Sequence, residues 1–303
     1  MENRFDLSPD LLVRRPLWRW SKIGSGGSDW HGDNNREVVW VCGSLKRPNG
    51  GKEMDRSGRE LAGRQLAGYR ARTPGTFFAG EGRSSLSLDE AYSVQGEVAR
   101  LRAAEGEPVA GYKVGATGPG TREQFGTDGP IRGFLYQTEL HRSRVKLSYA
   151  SYANLAIEGE LAVWLGDDAE IGRVLPVIEL HNYVFRSESP NLPELVANNG
   201  LHAGVVLPDT DGAEWRGDYP LAGALRVTIN GRTVEEGPMS GVPGGPEGSV
   251  EWLRRHLPAY GLALQPRQLV LTGTPLSLLP VRPGDSVRVT AERLGTVEAM
   301  VFA

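Results

Sequence analysis

Glu158 and Glu160 stand two residues apart in the run Ile157-Glu158-Gly159-Glu160-Leu161-Ala162-Val163. Alternate residues of an extended strand share a face, so the two carboxylates project side by side, about 7 Å apart, where the chain enters an apolar stretch. Like charges held that close beside a core repel unless a cation joins them. Carboxylate oxygens are hard ligands, suited to Mg²⁺, Mn²⁺ or Ca²⁺. The same spacing also fits an exposed, salt-bridged strand edge. A third carboxylate, Glu179, interrupts the apolar run Pro176-Val177-Ile178 and precedes Leu180-His181-Asn182. If the two runs are neighbouring strands, Glu179 completes a three-carboxylate metal set, and His181 shares its face. His181 is then either a group beside the metal ligands or a satisfied core histidine. Lys113, in Gly111-Tyr112-Lys113-Val114-Gly115, either snorkels to the surface or sits in a cleft where desolvation lowers its pKa and suits it to proton transfer.

The elements that must position these groups are short strands. Runs at 109–116, 156–165, 174–185 and 202–208 are apolar and bounded by Gly and Pro, and 225–237 carries Asn230-Gly231 between alternating β-branched residues, a hairpin signature. LVLTG at 269–273 and the segment from Ser286 to Phe302 supply further strands. Helices are expected over 59–72, where Leu61, Leu66 and Tyr69 share a face, and from Ser87 to about Gly106. There Ser87 and Glu90 form a capping box ahead of Leu88, Ala91, Tyr92, Val98 and Leu101. A further helix is expected over 248–260. GATGPGTREQFG at 115–126 is Gly-rich but lacks the Lys-Ser/Thr ending of a phosphate loop.

Composition narrows the partners. Lys+Arg 34 against Asp+Glu 37 gives a net charge of −3 and a pI near 6.0, without the basic face that nucleic acid demands. The longest apolar runs have strand length, far short of the roughly 18 residues of a membrane span, and neither a secretory nor a transit signal is recognisable. With a single cysteine, Cys42, an internal disulfide and a thiolate metal cluster are excluded, and the cytoplasm is the expected compartment. Forty glycines in 303 residues, about twice the usual ~7%, suit many turns in a β-rich body. Residues 1–56 hold four of the seven tryptophans in turn-forming polar sequence and are read as a poorly ordered N-terminal appendage: an aromatic lid, an oligomer arm, or a leader ahead of a start at Met54. Residues 57–303 form one catalytic domain, with a helical part at 57–108 and a β-rich, metal-binding body at 109–303.

Taken in order, GYKVGAT, AIEGELAVWL, LPVIEL, VANNGLHAGVVLP and LVLTGTPLSLLPVRPGDSVRV resemble the hydratase/decarboxylase branch of the fumarylacetoacetate hydrolase superfamily, the group of 2-keto-4-pentenoate hydratases and 4-oxalocrotonate decarboxylases. The resemblance covers roughly 59–303. It implies an α+β fold, a mixed β-roll or β-sandwich with flanking helices, assembled as a homodimer or larger homo-oligomer. It places the family's metal ligands on Glu158, Glu160 and Glu179, its active-site lysine on Lys113, and pocket residues on Asn199, Thr272, Gly273 and Thr274. It also marks a divergent member. Ile131 stands in place of the usual aspartate of a P-D-Y-G-like stretch, Asn182 in place of another aspartate, His181 in place of an apolar residue, and Leu201-His202 in place of a serine pair.

The expected activity is that of a metal-dependent lyase. Mg²⁺ or Mn²⁺ chelates the carboxylate and 2-oxo oxygen of a small 2-oxo acid and stabilises its enolate; Lys113 moves protons, and His181 or His202 replaces the missing aspartate as acid/base. Hydration and decarboxylation share that intermediate. Two alternatives stand beside it: hydrolysis of an acylpyruvate C–C bond, for which His31 is the loose candidate for a water-activating histidine, and a non-catalytic partner subunit of a hydratase/decarboxylase complex.

Overall fold

The computed structural model describes residues 56–73, 86–182, 190–215, 222–240 and 242–303. The expected appendage, with its tryptophans, His31, Cys42 and Met54, lies outside the described residues but for Arg56, as do residues 183–185 of the third strand-like run.

Two helices open the described chain, α1 (Arg56–Arg70) and α2 (Leu88–Ala104). The capping box forms as the sequence predicts. Ser87 accepts from the Glu90 amide, and the Glu90 side chain reaches back to the Ser87 amide, an arrangement worth about 1 kcal/mol. Leu66, Ala91, Tyr92 and Val98 are buried as expected, whereas Leu88 at the first turn is exposed. Next come β1 (Val109–Gly115), the short helix α3 (Pro119–Phe125), β2 (Ile131–Tyr136), β3 (Leu140–Arg142) and β4 (Val145–Ser148). The long strands β5 (Leu155–Leu165) and β6 (Ile171–Asn182) follow, then α4 (Leu192–Ala197), β7 (His202–Leu207) and β8 (Ala213–Glu214).

Strands β9 (Ala224–Ile229) and β10 (Arg232–Pro238) form the expected hairpin, with Asn230 and Gly231 both at positive φ, as a two-residue turn requires. Helix α5 (Gly245–His256) begins three residues earlier than the sequence predicts and tightens into a 3₁₀ turn at Leu257–Tyr260, where Pro258 cannot supply an α-helical N–H. The chain closes with β11 (Leu269–Leu271), β12 (Leu279–Pro280), β13 (Ser286–Ala291) and β14 (Gly295–Phe302).

Among the described residues the strands make two sheets. One runs β2-β1-β11-β5-β6-β7-β3, with β12 on β5 and β8 on β6; the other runs β10-β9-β13-β14-β4. They meet face to face through β5. A Cβ on Gly159 would fall 2.7 Å from Val227 and 3.2 Å from Val289 of the second sheet, so only glycine admits this approach. Ile157, Leu161, Val163 and Leu165 join the same inter-sheet core. The alternation of β5 therefore turns Glu158 and Glu160 to the other face. A second apolar cluster packs α1, α2 and α4 together and takes in Ile131. The architecture is the expected α+β arrangement. No helix among the described residues is long and apolar enough to cross a membrane.

Candidate active site

The antiparallel register of β5 and β6 sets Glu158 directly opposite Glu179 and Ala156 opposite His181. The two carboxylate strands are thus immediate neighbours, and the Glu179–His181 alternation holds both side chains on the face that bears Glu158. On the far side, β7 contributes His202 by an irregularity. Glu179 pairs with Val205 and Leu180 with Gly204, but His181 pairs with His202, so Ala203 is an extra residue. Strict alternation from Val205 would send His202 to the inter-sheet core. The bulge, with Gly204 at φ +145°, instead aims it at Glu179.

Lys113 reaches the same point from β1. Its Nζ lies 2.7 Å from Glu179 Oε1, and His202 Nδ1 lies 2.7 Å from the same oxygen. Both side chains are buried, and the lysine is only 4% exposed. It is walled by glycines, since a Cβ on Gly133 would fall 2.9 Å from its Cγ and one on Gly200 3.1 Å from its Cε. Ile131 shares that wall: the Gly200 Cβ position is also 3.9 Å from Ile131 Cδ1. Hydrocarbon therefore occupies the place beside the lysine.

Glu179 Oε2 faces the opposite way. His181 Nε2 is 3.4 Å from it and 3.2 Å from Glu158 Oε2, without the alignment of a hydrogen bond to either. One ligand atom from each of Glu158, Glu179 and His181 lies within 4.8 Å of the other two. Glu160 stands outside this group: it is buried on the same face, and its Oε1 accepts the Gly273 amide.

The turn that supplies this amide is fastened to β5. Thr272 Oγ1 donates to the Leu161 carbonyl at 2.8 Å and Thr274 Oγ1 to the Gly159 carbonyl at 2.6 Å, on either side of Glu160. Gly273, at φ +87°, leaves no room for a side chain, because its Cβ would fall 2.5 Å from Thr117. The Asn199 side chain is equally committed. It accepts from the Phe134 amide at 2.7 Å and donates to the Phe134 carbonyl at 2.8 Å, as a strand would, and so joins β2 to the turn before β7. The four expected pocket residues thus hold the walls of the site through these side-chain and backbone groups.

Charge inside the cluster is partitioned. Burial opposes ionisation of Glu179, but Lys113 and His181 outweigh it and hold the carboxyl well below the usual range. Glu160 goes the other way: burial and the nearby Glu179 and Glu158 charges raise it well above 4.5. Burial also works against the Lys113 ammonium, yet Glu179, Glu158 and Glu160 raise its pKa. Depression by desolvation, one of the two outcomes expected for this lysine, is thereby reversed, and the other fails because the ammonium does not reach solvent. His181 is lifted to about 9 because Glu179 and Glu158 overcome burial. His202 is lowered by burial despite its bond to Glu179. With Glu179 ionised, His202 Nδ1 carries the hydrogen, and its buried Nε2 is bare and without a partner.

An imidazole nitrogen set between two carboxylates without an aligned hydrogen bond to either offers, once deprotonated, the third donor of a dication site, so the residues present fit a divalent metal.

Residues 199–302 match the fumarylacetoacetate (FAA) hydrolase C-terminal family. Over 225 residues the chain is 26% identical to a 2-hydroxyhexa-2,4-dienoate hydratase of Comamonas testosteroni, covering 70% of this chain and 85% of that protein. Over 232 residues it is 25% identical to a 4-oxalocrotonate decarboxylase of a Pseudomonas species, covering 71% and 88%. The solved 4-oxalocrotonate decarboxylase from Pseudomonas putida G7, complexed with magnesium and adipate, shares the fold at a TM-score of 0.74 and 24% identity, covering 83% of this chain and all of that one.

Proposed function

We propose, for a chain that is a divergent relative of the hydratase/decarboxylase branch of the fumarylacetoacetate hydrolase superfamily, a divalent-metal-dependent lyase activity on a 2-oxo acid or its enol. The observation that carries the reading is the convergence of half-buried Glu158 with buried Glu179 and His181, with Lys113 on the other oxygen of Glu179. A divalent cation bound there supplies an electrophile for the substrate's carboxylate and 2-oxo oxygens and stabilises negative charge on the enolate.

The chain's own groups do the rest. Glu158 and Glu179 direct Oε2 atoms to one point, and Glu160 lies behind them on the same strand face. Glu179 Oε1, fixed by Lys113 and His202, cannot rotate away without breaking two charge-assisted bonds. Lys113 holds a proton at Nζ and is the cation that can deliver it to a substrate carbon. His202 Nε2, bare and buried, can accept one. Ile131 offers no base beside Lys113, so among the described residues these are the groups that activate water arriving there. That arrangement suits loss of CO₂, which needs an electron sink and a proton donor, at least as well as addition of water.

The test is direct. Protein stripped by a chelator and reloaded with Mn²⁺ or Mg²⁺ is offered 2-hydroxyhexa-2,4-dienoate and 4-oxalocrotonate, with loss of the conjugated chromophore followed by ultraviolet absorption. Turnover of at least one substrate is expected only in the reloaded protein, with a fall of about a thousandfold in Lys113→Met. Turnover that survives both the chelator and Lys113→Met contradicts the reading.

A further inference from the structure

We infer that His181 is itself a ligand of the metal, through Nε2, alongside Glu158 and Glu179, and that this mixed nitrogen–oxygen set selects Mn²⁺ and other transition-metal dications over Mg²⁺. The inference rests on the metal-dependent reading above and goes further, because three carboxylates alone suit a hard cation and leave His181 aside.

The geometry separates His181 from an ordinary core histidine. Its side chain is 6% exposed, and among the described residues its buried Nε2 makes no aligned hydrogen bond but lies within ion-pair reach of two carboxylates. That nitrogen stands 3.2 Å from Glu158 Oε2 and 3.4 Å from Glu179 Oε2. Ligand atoms on adjacent vertices around a six-coordinate dication at about 2.1–2.2 Å are about 3.0–3.1 Å apart, and around a four-coordinate one at about 2.0 Å they are about 3.3 Å apart. The two nitrogen–oxygen spacings match those of cis ligands, and the two carboxylate oxygens lie within 4.8 Å of each other. The oxygens are also already sorted: Glu179 gives Oε1 to Lys113 and His202 and keeps Oε2 for the cluster, while Glu160 gives Oε1 to the Gly273 amide.

Chemistry then dictates the preference. Mg²⁺ favours oxygen and dehydrates reluctantly, whereas imidazole suits Mn²⁺ weakly and Fe²⁺, Co²⁺ and Zn²⁺ progressively better. Once the cation displaces its proton His181 is neutral, and two carboxylates with a neutral imidazole cancel the charge of a dication without exceeding it. The ion therefore attracts a dianionic chelator more strongly than it would inside three carboxylates.

Electron spin echo spectroscopy of Mn²⁺-loaded protein, prepared with natural and with isotope-labelled histidine, reads the ligand without any turnover. Modulation from one bound imidazole nitrogen is expected, altered by the labelled histidine, retained in His202→Asn and abolished in His181→Val. Competition titration should show wild type preferring Mn²⁺ to Mg²⁺ by about a hundredfold, and His181→Val by about tenfold. Should His181→Val misfold, labelled wild type shows that a histidine is bound and His202→Asn that it is not His202, so the test stands. Bound Mn²⁺ without nitrogen modulation, or with modulation that survives His181→Val, overturns the ligand assignment and leaves metal dependence standing. Protein that takes up no Mn²⁺ overturns both.

Discussion

Beside Lys113, where the resembling sequences carry an aspartate, the side chain of Ile131 fills the space with methyl groups. Among the described residues the ammonium is left with one carboxylate in ion-pair contact, Glu179. Restoring the acid should therefore change the balance of products. Ile131→Asp is expected to raise water addition relative to decarboxylation by about tenfold or more, read as the product ratio by NMR; an unchanged ratio removes Ile131 from the account. Glu179 is the other pivotal residue, because one of its oxygens satisfies two buried groups. Glu179→Gln strands the Lys113 charge in the interior and should cost the metal-free protein about 3–5 kcal/mol in urea denaturation. The sign of its pH dependence follows from its depressed pKa. The stabilisation is present above the unfolded carboxyl value, near 4.3, and is lost as pH falls through the lower folded value. Spacing made Glu158 and Glu160 visible as a pair, and the family resemblance joined Glu179 to them as a set. Neither could show which oxygen each would spend on a neighbour, and that separates Glu160 from the other two.

At the scale of elements, the strands that carry the site were legible because their signals are local. The period-two alternation of β5, the Asn230-Gly231 turn and the Ser87 capping box each rest on a few adjacent residues. The bulge at Ala203 was not legible, since an extra residue shows only against a partner strand, and without it the facing of His202 cannot be derived. Asn199 is a similar case. The family resemblance implies a polar pocket group, but the fold uses both ends of its amide to continue the pairing of β2. Asn199→Ala leaves the Phe134 N–H and C=O unpaired and should destabilise the protein by about 2–4 kcal/mol, measured by chemical denaturation. A loss below about 0.5 kcal/mol would mean that water replaces the amide and that the wall beside Lys113 is not held by it.

Across the whole domain, an aromatic cluster ties the helical start to the C-terminal helix. His256 of α5 stacks on Trp252 at 4.5 Å and meets Tyr92 of α2 edge-on at 4.8 Å, while the fully buried Arg132 lies over Tyr92 at 4.7 Å and Tyr260 at 5.1 Å. Burial and the Arg132 charge push His256 down to about 4. A histidine whose folded pKa lies below its unfolded value, near 6.5, stabilises the fold above that value and loses the contribution as pH falls from about 6.5 towards 4. His256→Phe keeps the ring and removes the titration, so its Tm should fall less steeply than wild type between pH 7 and pH 4.5 in calorimetry; parallel curves would place the acid sensitivity elsewhere. The central claim concerns the buried cluster, and the measurement that tests it most directly is a calorimetric titration with Mn²⁺, with and without oxalate as a mimic of the enolate, on wild type and Glu158→Ala. We predict binding that oxalate tightens and that Glu158→Ala weakens by about a hundredfold or more. Absence of Mn²⁺ binding, or binding indifferent to both oxalate and Glu158→Ala, would contradict it.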